Sequence, residues 1–190
     1  MPSWCCSSGD DVTSTGWFVL LVAAVGVERV VELVISQRHI AWAKARGGVE
    51  LGREHYLAMV LIHVGLLVGS VVEVVLLDRV FLPWLGWPAL VGVGLAQGLR
   101  WWCIASLGKQ WNTRIVVVPG AGRVVGGPYR RFRHPNYLAV AVEGICLPLV
   151  HTAWITATLF TIANAWVMRQ RIPAENKALL LLAGSPVGDR

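Results

Sequence analysis

Four apolar stretches, residues 17–35, 56–77, 88–107 and 137–168, cover about half of the 190-residue chain and constrain its fold more than any other feature. A helix needs ~20 apolar residues to cross a hydrocarbon core of about 30 Å. In lipid, every backbone N–H and C=O must be satisfied within its own segment, so such runs resolve into helices. The chain is 55% hydrophobic and only 15% charged, against roughly 45–50% and about 25% in soluble domains; the bilayer is the expected solvent. The fourth run is too long for one span. Pro148 and the polar pair His151 and Thr152 divide it into two arms, each short of a full crossing. The expectation is an all-α membrane protein of about five transmembrane helices, the last two a helical hairpin. Residues 1–107 would hold the first three helices, and 108–190 a polar loop, the hairpin and a C-terminal helix.

The net charge of +6 does not form a stripe with interleaved aromatics. Nucleic acid is therefore not an expected partner; membrane lipids are. Arg38, Lys44, Arg46 and Arg53 lie between the first two runs, whereas Arg79 beside Asp78 is alone in the second connection. The third connection carries Lys109, Arg114, Arg123, Arg130, Arg131 and Arg133, the hairpin tip no Lys or Arg, and the C-terminal segment Arg169, Arg171 and Lys177. Basic loops stay cytoplasmic, which predicts the N-terminus outside and both the third connection and the C-terminus in the cytosol. Asp10 and Asp11 precede the first run where a signal peptide would be basic, which argues against cleavage there. Cys5, Cys6, Cys103 and Cys146 lack metal-ligand spacing, so neither a metal nor a disulfide framework is expected. Trp84, Trp87, Trp101, Trp102 and Trp111 flank apolar runs; interfacial anchoring and core packing are both open to them.

Within the third connection, the β-branched runs 115–118 and 123–125 flank Pro119-Gly120-Ala121-Gly122, which predicts a small β-hairpin. Glu28, Arg29, Glu32, His63, Glu73 and Glu143 sit inside apolar runs. Charge there is expensive, so each should face the bundle interior or a polar cavity. Pairing, as between Arg29 and Glu32 at i, i+3, is one reading and cavity lining the other. Pairing is favoured for Glu73 and Glu143.

Arg133-His134-Pro135-Asn136-Tyr137 stands where a helix must begin, since Pro is tolerated in the first turn and an apolar run follows. Free N–H groups and the positive helix end would favour an anion there, with Arg130, Arg131 and Arg133 adding charge. A plain positive-inside anchor would look the same. Arg171 and Glu175 lie four apart and so share one face of the C-terminal helix, on the same membrane side. Arg offers a fork for a carboxylate and Glu accepts from an ammonium; a surface pair between the two is the simpler alternative. Together the two clusters could hold a zwitterion and an acidic substrate.

Gly127-Pro128-Tyr129, then Arg133-His134-Pro135-Asn136-Tyr137, then Arg171-Ile172-Pro173-Ala174-Glu175 resemble the signature of the isoprenylcysteine carboxyl methyltransferase (ICMT) family. The likeness covers about residues 100–180. Glu28-Arg29-Val30-Val31-Glu32-Leu33, the segment 47–56 and His63 further resemble a bacterial branch, some members of which methylate alkylpyrones. The resemblance implies an integral membrane O-methyltransferase dependent on S-adenosylmethionine, reached from the cytosol of a bacterial-type plasma membrane. The methyl would go to a carboxyl or acidic hydroxyl of a lipophilic or lipidated substrate. Carried over by position, Arg114, Arg123, Val124, Tyr129, His134, Pro135, Asn136, Tyr137 and Glu175 would contact the cofactor. Arg171 and Glu175 would be the catalytic pair, with Arg171 orienting the acidic group of the substrate. Asn176 stands where the family usually has a second acidic residue, which bears on the substrate more than on the cofactor.

For an acceptor that is already an anion near neutral pH, positioning should dominate, supplying up to roughly 7–11 kcal/mol in favourable cases, with no obligatory base. Three rival readings remain. A phospholipid N-methyltransferase would need a base to free its amine, for which His134 is available. An NADPH-dependent sterol reductase shares an Arg-His-x-x-Tyr-like block, but this chain is short for one. A non-enzymatic membrane scaffold would bind neither cofactor. Oligomeric state is not encoded in any motif.

Overall fold

The computed structural model describes residues 8–51, 54–122 and 124–183. Of the described residues 78% are helical, in five α-helices: α1 (Ser8–Lys44), α2 (Glu54–Leu76), α3 (Pro83–Leu107), α4 (Pro135–Leu149) and α5 (Trp154–Ala183). Two of them are long and apolar enough to cross a membrane, Tyr56–Leu76 with mean hydropathy 2.4 and Pro83–Gln110 with 1.2. The 37 residues of α1 reach about 55 Å, but Glu28, Arg29 and Glu32 interrupt its apolar surface. The 15 residues of α4 reach about 22 Å, less than the roughly 30 Å core. α4 and α5 form the expected hairpin. Its second arm, however, is not short: α5 runs unbroken for 30 residues through the Arg171 and Glu175 segment, with Pro173 inside it.

The helix ends follow from local chemistry. Pro83 and Pro135 open α3 and α4 in the first turn, where a missing N–H costs no hydrogen bond. The hairpin tip turns through Thr152 at φ +55°, whose hydroxyl donates to Val80 O at 2.8 Å. Glu73 of α2 accepts from Ile155 N at 3.1 Å and from Thr156 N at 2.7 Å. It therefore caps the N-terminus of α5 from another helix, and Arg79 at 2.9 Å balances its charge.

The main core joins Phe18, Val22 and Val25 of α1, Val74 of α2, Ala89 and Val93 of α3, and Leu147 of α4. α4 and α5 approach so closely that a Cβ on Gly144 would lie 1.8 Å from the Phe160 ring, so glycine is required there. Leu61, Val64, Val68, Val72 and Val75 of α2 remain exposed, a contiguous apolar surface that suits lipid. Trp84, Trp87 and Trp102 are 71%, 59% and 56% exposed, which fits anchoring, while Trp111 is only 3% exposed and belongs to the core.

Among the described residues, the β-hairpin expected at 115–118 and 123–125 has no second strand. β2 (Ile115–Val117) pairs instead, antiparallel, with β1 (Val49–Leu51) from the α1–α2 connection. Arg114 and Glu50 clamp this pairing at 3.0 Å, an attraction across sequence that a local turn signal does not encode. Val124 and Val125 are irregular.

Inside the bundle, α1, α3 and α4 share one charge cluster. Arg29 contacts Glu32 at 2.7 Å and Gln97 at 2.8 Å, and lies 3.6 Å from Glu143. Arg100 bonds Glu143 and lies 3.6 Å from Glu32. Gln97 and Trp101 both donate to Glu28. The expected Arg29–Glu32 pair is thus part of a network spanning three helices, which relieves the desolvation of each charge.

Candidate functional site

One cavity of about 300 Å³ runs from the polar loops into the bundle and touches residues of every helix, a size at the lower end for small-molecule sites. Its mouth is built by the start of α4, the last turns of α5 and the loop before α4. Tyr129 is placed by the turn that begins at Gly127, whose φ is +58°. A Cβ there would meet Ser106 Oγ at 2.1 Å, so neither the conformation nor the space admits another residue. Burial pushes the Tyr129 hydroxyl far above its ordinary range, so it stays protonated and able to donate.

His134 is the residue before α4, and its ring stacks on Tyr137 one turn later, at 5.5 Å. Both reach Glu175 of α5. Tyr137 Oη donates to Glu175 Oε2, and His134 Nδ1 lies 3.8 Å from Oε1. Burial alone would raise the Glu175 carboxyl, but the bonds from His134 and Tyr137 and the Arg171 charge hold it below the ordinary carboxylate range. The cavity mouth therefore carries a fixed negative charge at neutral pH. Asn136 Oδ1, buried beside it, has no hydrogen-bond partner among the described residues. An unsatisfied buried acceptor is expensive and suits a ligand's hydroxyl or ammonium.

Arg171 does not make the surface i, i+4 pair with Glu175 that its spacing offers. Its Nη2 donates to Thr113 O at 2.9 Å, its Nη1 touches Met59 Sδ, and the side chain is buried. Thr113 is tied in turn to Ser36 of α1, with 2.8 Å between the hydroxyls. Among the described residues no carboxylate pairs directly with Arg171, although its charge acts on Tyr137 and Glu175, so the guanidinium can meet an anion at this end of the cavity.

Of the remaining residues expected at the site, Val124 lines the cavity and Pro135 is buried at its edge. Arg114 also lines it, but its guanidinium is engaged by Glu50 and lies 4.4 Å over the Tyr56 ring, so it braces the wall. Arg123, and likewise Cys5, Cys6 and Arg53, lie outside the described residues. Met59 and the carbonyl of Thr113 carry no sequence signal and were missed. His63, Arg29, Glu32 and Arg100 prove to line the deep end of the same cavity.

The chain matches the Isoprenylcysteine carboxyl methyltransferase (ICMT) family over residues 89–181. It is 37% identical over 163 residues to Uncharacterized protein YpbQ of Bacillus subtilis (strain 168), covering 85% of this chain and 96% of that protein. The chain belongs to the ICMT family. Membership implies a membrane methyltransferase. The matched segment spans α3 to α5 and so contains the His134, Tyr137, Arg171 and Glu175 constellation, while α1 and α2, which supply Arg29, Glu32, Met59 and His63, lie outside it.

Proposed function

We propose that the protein is an S-adenosylmethionine-dependent O-methyltransferase acting on an acidic oxygen of a lipophilic acceptor, such as an isoprenylcysteine-like carboxylate or an alkylpyrone. The observation that carries this reading is the Glu175 carboxylate, held by His134 and Tyr137 at the cavity mouth one helical turn from the buried cation Arg171. The donor set fits the methyl donor. Glu175 accepts its ammonium, Asn136 Oδ1 is available to one of its remaining donors, and the first N–H groups of α4 favour its carboxylate. When bound, the cofactor supplies a sulfonium methyl that is already electrophilic.

What this chain adds is orientation and dryness. Arg171 holds the acceptor's negative oxygen, and the low dielectric around it strengthens that contact. Fixing nucleophile and methyl in line removes much of the entropic barrier. The apolar wall of Val60, Val64 and Leu67 takes the lipid tail, which reaches the cavity from the bilayer. In this reading the mouth faces the cytosol, since the basic third connection and C-terminal segment flank it.

Incubation with methyl-labelled S-adenosylmethionine, followed by separation of lipid and protein fractions, tests the proposal. Label is expected in a base-labile ester or an enol ether of a lipophilic acceptor. Label in the amine of a phospholipid would replace this reading with N-methylation.

A further inference from the structure

The structure points to a group that the preceding reading leaves unused. His63 stands on α2 four residues after Met59, so the two share one face of the helix, and both line the cavity. Its Nδ1 lies 2.8 Å from Met59 O. A carbonyl only accepts, so Nδ1 carries the hydrogen and Nε2 keeps its lone pair. The edge-on Phe160 ring at 5.7 Å fixes the imidazole plane. Among the described residues Nε2 has no hydrogen-bond partner, and it opens on the cavity. Arg171 Nη1 rests on Met59 Sδ, so the guanidinium lies against the residue one helical turn before His63 on the cavity face of α2. The charged groups facing His63 are Arg29 and Glu32 from α1, Arg100 from α3, Glu143 from α4 and Arg171 from α5.

The cavity thus presents, in one lining, a cation that only donates and a nitrogen that only accepts. A carboxylate has nothing to give the second. We infer that His63 Nε2 is the general base of the proposed transfer and that the acceptor is a lipid-tailed phenol or enol whose reacting oxygen still carries its proton. The inference rests on the methyltransferase reading and departs from the expectation that no base is needed. The hydroxyl proton passes to Nε2 while the oxygen's electron pair forms the bond to the methyl carbon. The electron pair of the broken carbon–sulfur bond stays on sulfur, leaving a neutral thioether. The imidazolium then returns its proton to water through the cavity mouth.

The test uses the full chain in lipid nanodiscs with labelled S-adenosylmethionine and two probes, 4-dodecylphenol and N-acetyl-S-farnesylcysteine. Wild type should methylate the phenol. His63→Gln should lower kcat for it by about a hundredfold or more, with KM and S-adenosylhomocysteine affinity within a few fold. The acid limb of the wild-type pH profile should vanish in the variant. In cofactor-free protein, dodecylphenol should bind His63→Phe about tenfold more weakly than wild type. A wild type that takes the farnesylcysteine carboxylate and not the phenol overturns the assignment without any variant, and so does undiminished turnover by His63→Gln. Absence of S-adenosylhomocysteine binding to wild type would overturn the methyltransferase reading itself, and this inference with it.

Discussion

Two charged regions lie along one cavity and are solved in opposite ways. At the deep end, Arg29, Glu32, Arg100 and Glu143 are ion-paired with one another across three helices. At the mouth, Glu175 is held by a phenol and an imidazole, and Arg171 by a carbonyl and a thioether. The first region neutralises charge with charge, so it can hold helices together in lipid. The second holds Glu175 and Arg171 without a direct ion pair between them among the described residues, so both remain available to a ligand. An ionisable residue in an apolar run thus reads as structural or functional according to what holds it.

The largest effect should come from breaking the deep network. Arg100→Leu leaves Glu143 and Glu32 to share Arg29, and loss of one partner of a buried pair costs about 3–5 kcal/mol. Thermal unfolding in detergent should show it as a sharply lowered midpoint, and an unchanged midpoint would mean the cluster does not bind the helices. Next is Arg171→Ala. Methyl transfer should fall by about a hundredfold or more, with S-adenosylhomocysteine affinity within a few fold; unchanged turnover of the true acceptor would remove Arg171 from the mechanism.

A smaller loss is expected for Glu175→Gln, which preserves shape and the Tyr137 contact but removes the charge that meets an ammonium. S-adenosylhomocysteine affinity should drop about tenfold in calorimetry. Glu175 also sets a pH dependence. Its folded carboxyl titrates below the ordinary 4.5, so its stabilisation is fully present above that value and is lost only as pH falls through the lowered one. Acid unfolding of Glu175→Gln should lack this contribution. The smallest change belongs to Glu73→Gln, which weakens the cap on α5 and should cost about 1 kcal/mol with cofactor affinity unaltered.

Much of this contrast is legible in the sequence. Apolar length places the helices, Pro148 with His151 and Thr152 marks the hairpin turn, and the spacing of Arg171 and Glu175 puts both on one face of α5. Order along the chain also brings Arg133 through Tyr137 to the start of α4. Pairing between distant segments is not legible. β2 chose Val49–Leu51 over its neighbour because Glu50 and Arg114 meet, and Trp111 went to the core, where His39 Nδ1 lies 2.7 Å from its carbonyl oxygen. Nor does spacing reveal that Arg171 turns from Glu175 to Thr113 and Met59. These are choices among three-dimensional neighbours, and no local propensity encodes them.

The proposed methyl transfer requires that the mouth of this cavity bind S-adenosylmethionine. Isothermal titration of the purified protein with S-adenosylhomocysteine, beside NADPH, tests it most directly. Saturable binding of S-adenosylhomocysteine, weakened in Glu175→Gln, and no binding of NADPH are expected. Binding of NADPH instead, or of neither, would contradict it.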